Sequence, residues 1–456
     1  MDNARARAME KVRDSPRLRA TSFSLPHINL LPGLEIELLE EACSHFKRRY
    51  DRTNGGFSSA PKFPTPINLK FLLHLAQWPD AVTDVVGGED CTTAREMVLH
   101  TLRKMARGGI RDQIGYGFSR YSVTKDWSLP HFEKMLYDQA QLLDVYLDAF
   151  LVSHDPEMLG AVLDISTYLT TMPMSSETGG FFSAEDADSY PTKDDISHKR
   201  EGAYYVWTRN ELEDVLGSQA SNILATFYGV EAKGNVSGHN DPHNELQGQN
   251  VFKINSTPPI IARDLGVSED TITNIIRSSR QKLREYRNAH RPRPALDDKI
   301  VVCWNGLAIG ALARAASILQ DIAPEKASTC LSSALSAVDF IKRELFDADN
   351  RILYRVYRSG RGDTLGMCDD YAFMVQGLID LYEATFDDQH LQFADTLQSI
   401  QLERFRDVDG GGGFFTTPSP RKWSFFASLN LLNPTSHPQC PIYRCRCPLS
   451  GLPYRF

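Results

Sequence analysis

Apolar residues recur at helical spacing through most of this chain. The pattern predicts helices over 34–50, 66–78, 91–107, 130–153, 156–172, 208–228, 268–289, 303–320, 325–345, 369–386 and 388–405. Period-two runs are few and short, chiefly 204–207 and 352–357. Thr208-Arg-Asn-Glu211 has the spacing of a capping box, in which Glu211 reaches back to the Thr208 N–H. In the 130–153 segment, Pro130 suits a first helical turn, and Met135, Leu136, Gln139, Leu142, Leu143 and Tyr146 follow on one face. That reading puts His131, Glu133 and Lys134 at the opening of a buried helix.

Gly-aromatic loops punctuate the helices: Asn54-Gly-Gly-Phe57, Gly115-Tyr-Gly-Phe118, Gly179-Gly-Phe-Phe182 and Gly410-Gly-Gly-Gly-Phe-Phe415. The early intervals are about one helical hairpin long, as in a repeated α-hairpin unit. Hairpins that bury a face only against neighbours must close or stack. Closure predicts an all-α fold, an (α/α) toroid whose inner helices form a funnel with loops lining one mouth; stacking into a solenoid is the alternative. The polar stretch at about 186–300 reads as an insertion within the ring region 34–417, and residues 1–33 as a disordered basic segment. Seven prolines after Thr417 (418, 420, 434, 438, 441, 448 and 453) predict that 418–456 is an irregular Pro/Cys-rich tail outside the repeat. A ring left open there would expose a hairpin edge suited to self-association.

With 42% hydrophobic and 24% charged residues in 456, the composition is that of a globular protein. A net charge of −8 argues against nucleic acid as a partner. No uninterrupted apolar run of about 18 residues predicts a membrane span. The first twenty residues carry Arg5, Arg7, Lys11, Arg13, Arg17 and Arg19 among Asp2, Glu10 and Asp14, with no apolar stretch of a secretory signal. A cytoplasmic location is expected, with a mitochondrial transit peptide as the alternative. Cys43, Cys91, Cys303, Cys330 and Cys368 are single and in apolar surroundings, as reduced core thiols are. His437, Cys440, Cys445 and Cys447 fit no zinc spacing, the Glu185–Asp188 run lacks the spacing of a calcium loop, and no metal or cofactor is expected.

Candidate chemistry centres on Trp127-Ser-Leu-Pro-His131-Phe-Glu133-Lys134. His131, Glu133 and Lys134 can supply a general base, a carboxylate and a charge partner for proton transfer, whereas a purely structural reading makes them a charged helix start. Asp112, Tyr116 and Arg120 lie in the preceding Gly-rich loop and suit a polyhydroxylated, sugar-like ligand, stacking on its apolar face and bonding its rim. Glu185 and Asp188 are close carboxylates of the kind that make general acids. Trp127, Lys134, Trp207, Trp304, Asn305, Asp369 and Tyr371 complete the candidate binding set, although Asn305 and Asp369 also suit helix starts. His131, Glu133, Glu185 and Asp188 are the catalytic candidates, for sugar epimerisation or for glycoside hydrolysis; a non-catalytic scaffold is the rival reading.

Long collinear motifs resemble one family, the spermatogenesis-associated protein 20 family, whose bacterial members are YyaL-like proteins. They are GGFSSAPKFPTP (55–66), GGIRDQIGYGFSRY (108–121), WSLPHFEKMLYDQAQLL (127–143), GGFFSAEDADS (179–189), EGAYYVWT (201–208), DDKIVVCWNGLAIGALA (297–313) and DDYAFMVQGLIDLYEAT (369–385). The resemblance implies a six-hairpin toroid similar to N-acylglucosamine 2-epimerases and toroidal glycosidases. It also implies an N-terminal thioredoxin-like domain and further closing helices, for neither of which this sequence has matching residues.

Overall fold

The computed structural model describes residues 37–418, apart from 76, 78, 79 and 409–412. The expectations for 1–33 and for the tail beyond 418, including its histidine and cysteines, lie outside the described residues. Fourteen α-helices and eleven two-residue strands are present among them. In chain order the helices are α1 (Glu37–Arg49), α2 (Pro66–Leu75), α3 (Asp80–Val86), α4 (Gly88–Arg107), α5 (Leu136–Ser153), α6 (Pro156–Leu169) and α7 (Arg209–Leu216). They continue with α8 (Ser218–Tyr228), α9 (Pro258–Leu265), α10 (Glu269–His290), α11 (Val302–Leu319), α12 (Pro324–Glu344), α13 (Cys368–Thr385) and α14 (Asp388–Phe405).

The fold is an (α/α) toroid. Helices α2, α5, α11 and α13 lie side by side as the inner layer, and α4, α6, α12 and α14 back them as the outer layer. The inner helices run in one sense: Tyr137 meets Trp304 near their first turns, and Asp148 meets Arg314 further along. They also curve about a common axis. Lys70 of α2 pairs with Asp144 of α5, Arg314 of α11 pairs with Asp144 and Asp148, and Lys70 and Arg314 both feel the charge of Asp380 on α13. Contact of the first inner helix with the charge of the fourth is what a ring produces. A solenoid, the alternative from sequence, keeps such helices apart.

Helix α11 is apolar enough over its 18 residues to match a membrane-spanning helix in length and hydropathy, but 72% of it is buried in the fold. Its small residues let α13 approach closely: a Cβ on Gly377 would come within 2.4 Å of the Gly306 carbonyl oxygen, and one on Gly306 within 2.5 Å of the Phe373 backbone. Glycine is required there by backbone contact.

Three features differ from the sequence reading. Pro130 does not open a helix; α5 begins at Leu136. Pro130–His131 instead pairs with Tyr121–Ser122, and Lys134–Met135 pairs with Ala184–Glu185, which also pairs with Leu296–Asp297. Partners distant in sequence satisfy those backbone groups, so helical spacing loses to the ladder. The segment 208–228 is two helices, because Gly217 takes φ +75° between them. Residues 204–207 form turns with a single bridge, Trp207 to Asn250, while 352–357 contributes two short strands in different pairs. The Thr208–Glu211 capping box is present. Between α6 and α11, helices α7–α10 gather their own apolar cluster around Trp207, Leu212, Leu224, Tyr228, Ile272 and Leu283.

Two helical glycines test the close packing against each other. Gly377→Ala is expected to cost about 1–3 kcal/mol by forcing α11 and α13 apart. Gly160→Ala, in α6 with nothing within 4 Å of the added Cβ, is expected to stabilise by roughly 0.5–1 kcal/mol. Urea unfolding of the two variants checks both signs; equal effects would contradict the packing described.

Candidate active site

Because the inner helices run in one sense, their first turns meet at one mouth, and the Gly-aromatic loops are pinned there. Gln139, the fourth residue of α5, accepts from the Phe118 N–H (2.9 Å) and donates to the Phe118 carbonyl (2.6 Å). Asn305, the fourth residue of α11, does the same with Phe181, at 2.7 and 3.0 Å. Both carboxamides are fully buried. The loop at Asn54 is held by the Trp127 indole, whose Nε1 donates to the Asn54 carbonyl at 2.8 Å, and Lys62 covers that ring.

On this frame His131 is half-buried. Its Nδ1 lies 2.7 Å from Glu201 Oε1, and its Nε2 is 3.9 Å from Glu133. Tyr121 stacks on it at 4.9 Å, and the exposed ring of Phe63 extends the stack at 4.8 Å. Arg120 donates to Glu133 at 2.9 Å. Tyr137 meets Trp304 edge to face at 5.0 Å. Asp138 is 8% exposed, and its Oδ2 has no hydrogen-bond partner among the described residues. Burial, reinforced by Glu133 and opposed by Arg120, pushes its carboxyl up to about 7. The bond to Glu201 raises the His131 pKa against the effect of burial. Glu201 is lowered: burial opposes this, and the His131 bond outweighs it.

Beneath the mouth lies a second, closed network. Asp112 receives both Nη atoms of Arg287 at 3.0 Å and Lys134 Nζ at 3.0 Å. Despite its burial, those two cations hold it well below the usual carboxylate range. Lys134 also donates to the Tyr116 carbonyl, and Arg284 donates to the Tyr116 hydroxyl. Glu185 is fully enclosed between Arg293 and the Tyr168 hydroxyl.

Of the candidates, then, Arg120, His131, Glu133 and Trp304 come together at the mouth. Asp112, Tyr116, Lys134 and Glu185 form the buried network below; Arg120 pairs with Glu133, and Asp112 with Arg287. Asp188 is exposed, its backbone paired with Glu201. Trp127 and Asn305 brace loops, Trp207 is enclosed beside Phe252 and Arg291, and the Tyr371 hydroxyl accepts from the Leu353 N–H. Asp369 pairs with Arg355 at the start of α13. No group of histidine, cysteine and carboxylate side chains suited to a metal occurs among the described residues.

Sequence reading does not single out Tyr137, Asp138 or Glu201 as site residues. Asp138 leaves a signal, since it shares the buried stripe of Leu142, Val145 and Ala149, where a carboxylate is out of place. Glu201 leaves none by spacing, being 70 residues from His131.

This arrangement defines an (α/α) toroid with an acid–base cluster at the mouth of its inner helices. The chain belongs to the spermatogenesis-associated protein 20 family. It is 40% identical to the human protein of that name over 383 residues, 80% of this chain and 47% of the relative, and 39% identical to the mouse protein over 382 residues. An uncharacterised Caenorhabditis elegans protein is 35% identical over 395 residues, 51% of its length. The chain thus spans about half the length of the curated relatives it matches. No family model matches. Among solved structures, the chain is similar to a glycoside hydrolase family 76 mannosidase from Bacteroides thetaiotaomicron (10% identity, 81% of this chain and 72% of that one, TM-score 0.41). It is also similar to a cellobiose 2-epimerase from Bacillus thermoamylovorans (12% identity, 84% and 92%, TM-score 0.33).

The His131–Glu201 pair gives a pH test. A raised histidine contributes stability that is complete below its ordinary 6.5 and is lost as pH rises through the folded value; a lowered glutamate loses its contribution as pH falls. The pair therefore stabilises most in the mildly acidic window between them. Glu201→Gln is expected to return the His131 titration, followed by NMR, to 6.5 or below. The stability lost at about pH 6 should stay within about 1 kcal/mol, because the pair is partly exposed and screened, and should vanish at alkaline pH. An unmoved titration would contradict the pairing.

Proposed function

We propose that the mouth binds a sugar-like ligand and moves a proton on it, with His131 and Asp138 as the two proton-handling groups. One observation carries this: a half-buried His131 held by Glu201 and a buried, unpartnered Asp138 carboxyl near neutrality flank the Arg120–Glu133 pair. Groups that titrate near the working pH are suited to give and take protons. The Phe63–Tyr121 and Tyr137–Trp304 rings offer apolar faces to a sugar ring, and Arg120 and Glu133 can bond its hydroxyls. One group would remove the proton beside the carbonyl of an open-chain sugar and the other would return it, which is isomerase or epimerase chemistry. Glycoside hydrolysis through Glu185 has less support, because Glu185 is closed off beneath Arg293 and Tyr168. A ligand-binding module without catalysis uses the same rings and remains the second reading, with His131 and Asp138 contributing contacts alone.

Thermal shift against reducing sugars, followed by NMR detection of deuterium uptake beside the sugar carbonyl in D2O, tests the proposal. His131→Ala and Asp138→Asn are expected to slow uptake by about 10²–10⁴-fold while the ligand-induced shift persists. A sugar that shifts the melting temperature without exchange would leave only the binding module. Wild-type exchange in His131→Ala would remove that residue from the chemistry.

A further inference from the structure

A cleft of about 910 Å³ opens between the first hairpin loop and the segment between α6 and α11. One wall is the loop from Asp51 to Ala60, the second is the turn from Val123 to Leu129, and the third is formed by 235–240 with Val251 and Lys253. It shares no lining residue with the mouth, and its volume is that of a small-molecule site.

The chemistry of the walls is one-sided. Arg49, Lys125 and Lys253 line it with two carboxylates that are already engaged, and Arg49 Nε donates to the Phe57 carbonyl at 3.3 Å, leaving its Nη atoms. Asp51 takes Lys62 Nζ at 2.9 Å, the backbone N–H groups of Thr53 and Asn54, and the Asn54 side chain. Against the effect of burial, the Lys62 bond holds Asp51 well below the usual carboxylate range. Asp126 takes the Ser128 hydroxyl at 2.6 Å and the Ser128 N–H, and is 3.8 Å from Lys253. By contrast, the side chains of Lys125, Ser58 and Ser59 make no hydrogen bond or ion pair among the described residues, and Lys125 is exposed. A chain of net charge −8 thus gathers cations and uncommitted hydroxyls around one cleft. Ammonium, guanidinium and hydroxyl donors on the walls of one cleft are the recognition chemistry of a phosphate. Val123, Leu129, Val236 and Val251 leave room and apolar surface for the organic part.

We infer that this cleft is a second binding site, for a small organic phosphate held at its anionic group by Lys125, Lys253 and Arg49 and by the Ser58 and Ser59 hydroxyls. The occupant is independent of the chemistry proposed at the mouth, because the two places have no residue in common.

Calorimetric titration of the full chain with glycerol 3-phosphate, which has no sugar carbonyl, tests it, with inorganic phosphate as competitor. Binding is expected, weakened by added salt and by competing phosphate. Lys125→Ala with Lys253→Ala should weaken it by about tenfold or more, while His131→Ala leaves it unchanged. Lys125→Ala and Ser59→Ala, both at exposed positions, serve as separate variants should the double substitution unfold, and each should weaken binding several-fold. No binding up to about 10 mM, binding that free phosphate does not displace, or affinity lost with His131 and kept without Lys125 and Lys253 would each overturn the assignment.

Discussion

A buried carboxamide in the first turn of an inner helix, bonded to both backbone groups of one phenylalanine, is the constraint on which the mouth depends. Gln139 holds Phe118 and Asn305 holds Phe181 at equivalent positions of α5 and α11. Gly-rich loops bury backbone N–H and C=O groups that a helix cannot satisfy, and leaving one unpaired costs about 1–3 kcal/mol. A carboxamide has one donor and one acceptor face and matches such a residue edge to edge. Through it the loop of Phe118 is fixed to α5 and that of Phe181 to α11, so Tyr116 and Arg120 arrive beside Lys134 and Glu133.

Ionic pairs then do two different jobs around this frame. Along the axis, Lys70, His74, Asp144, Asp148 and Arg314 tie inner helices together in a partly exposed network, where each pair adds little stability but fixes which helices face one another. Below the mouth, Asp112, Lys134 and Arg287 are removed from water, and losing one partner there leaves a buried charge at a cost of about 3–5 kcal/mol. That network joins α10 to the loop before α5 and to the strand that leads into it. Lys134, a charge partner and binding candidate from sequence, is committed to this bracing, while its neighbours His131 and Glu133 face the mouth. Alternation along an extended strand separates them.

The periodicity, the loop spacing and the long motifs by themselves determined the helical hairpins, the capped start of α7, the toroid and the family, because each depends on residues close in sequence or on a repeat of fixed length. They also marked the segment around His131 as the place where polar groups interrupt an apolar pattern. Tertiary structure decided the rest. The stretch Pro130–Met135 is extended because its partners are Tyr121–Ser122 and Ala184–Glu185; Glu201 joins His131 from a segment 70 residues on; Asp138 rises toward neutrality because it is buried. Helical spacing registers which face of a segment is apolar, but it holds no record of which distant strand, carboxylate or cation will meet that face, and those meetings set the protonation and exposure of every group at the mouth.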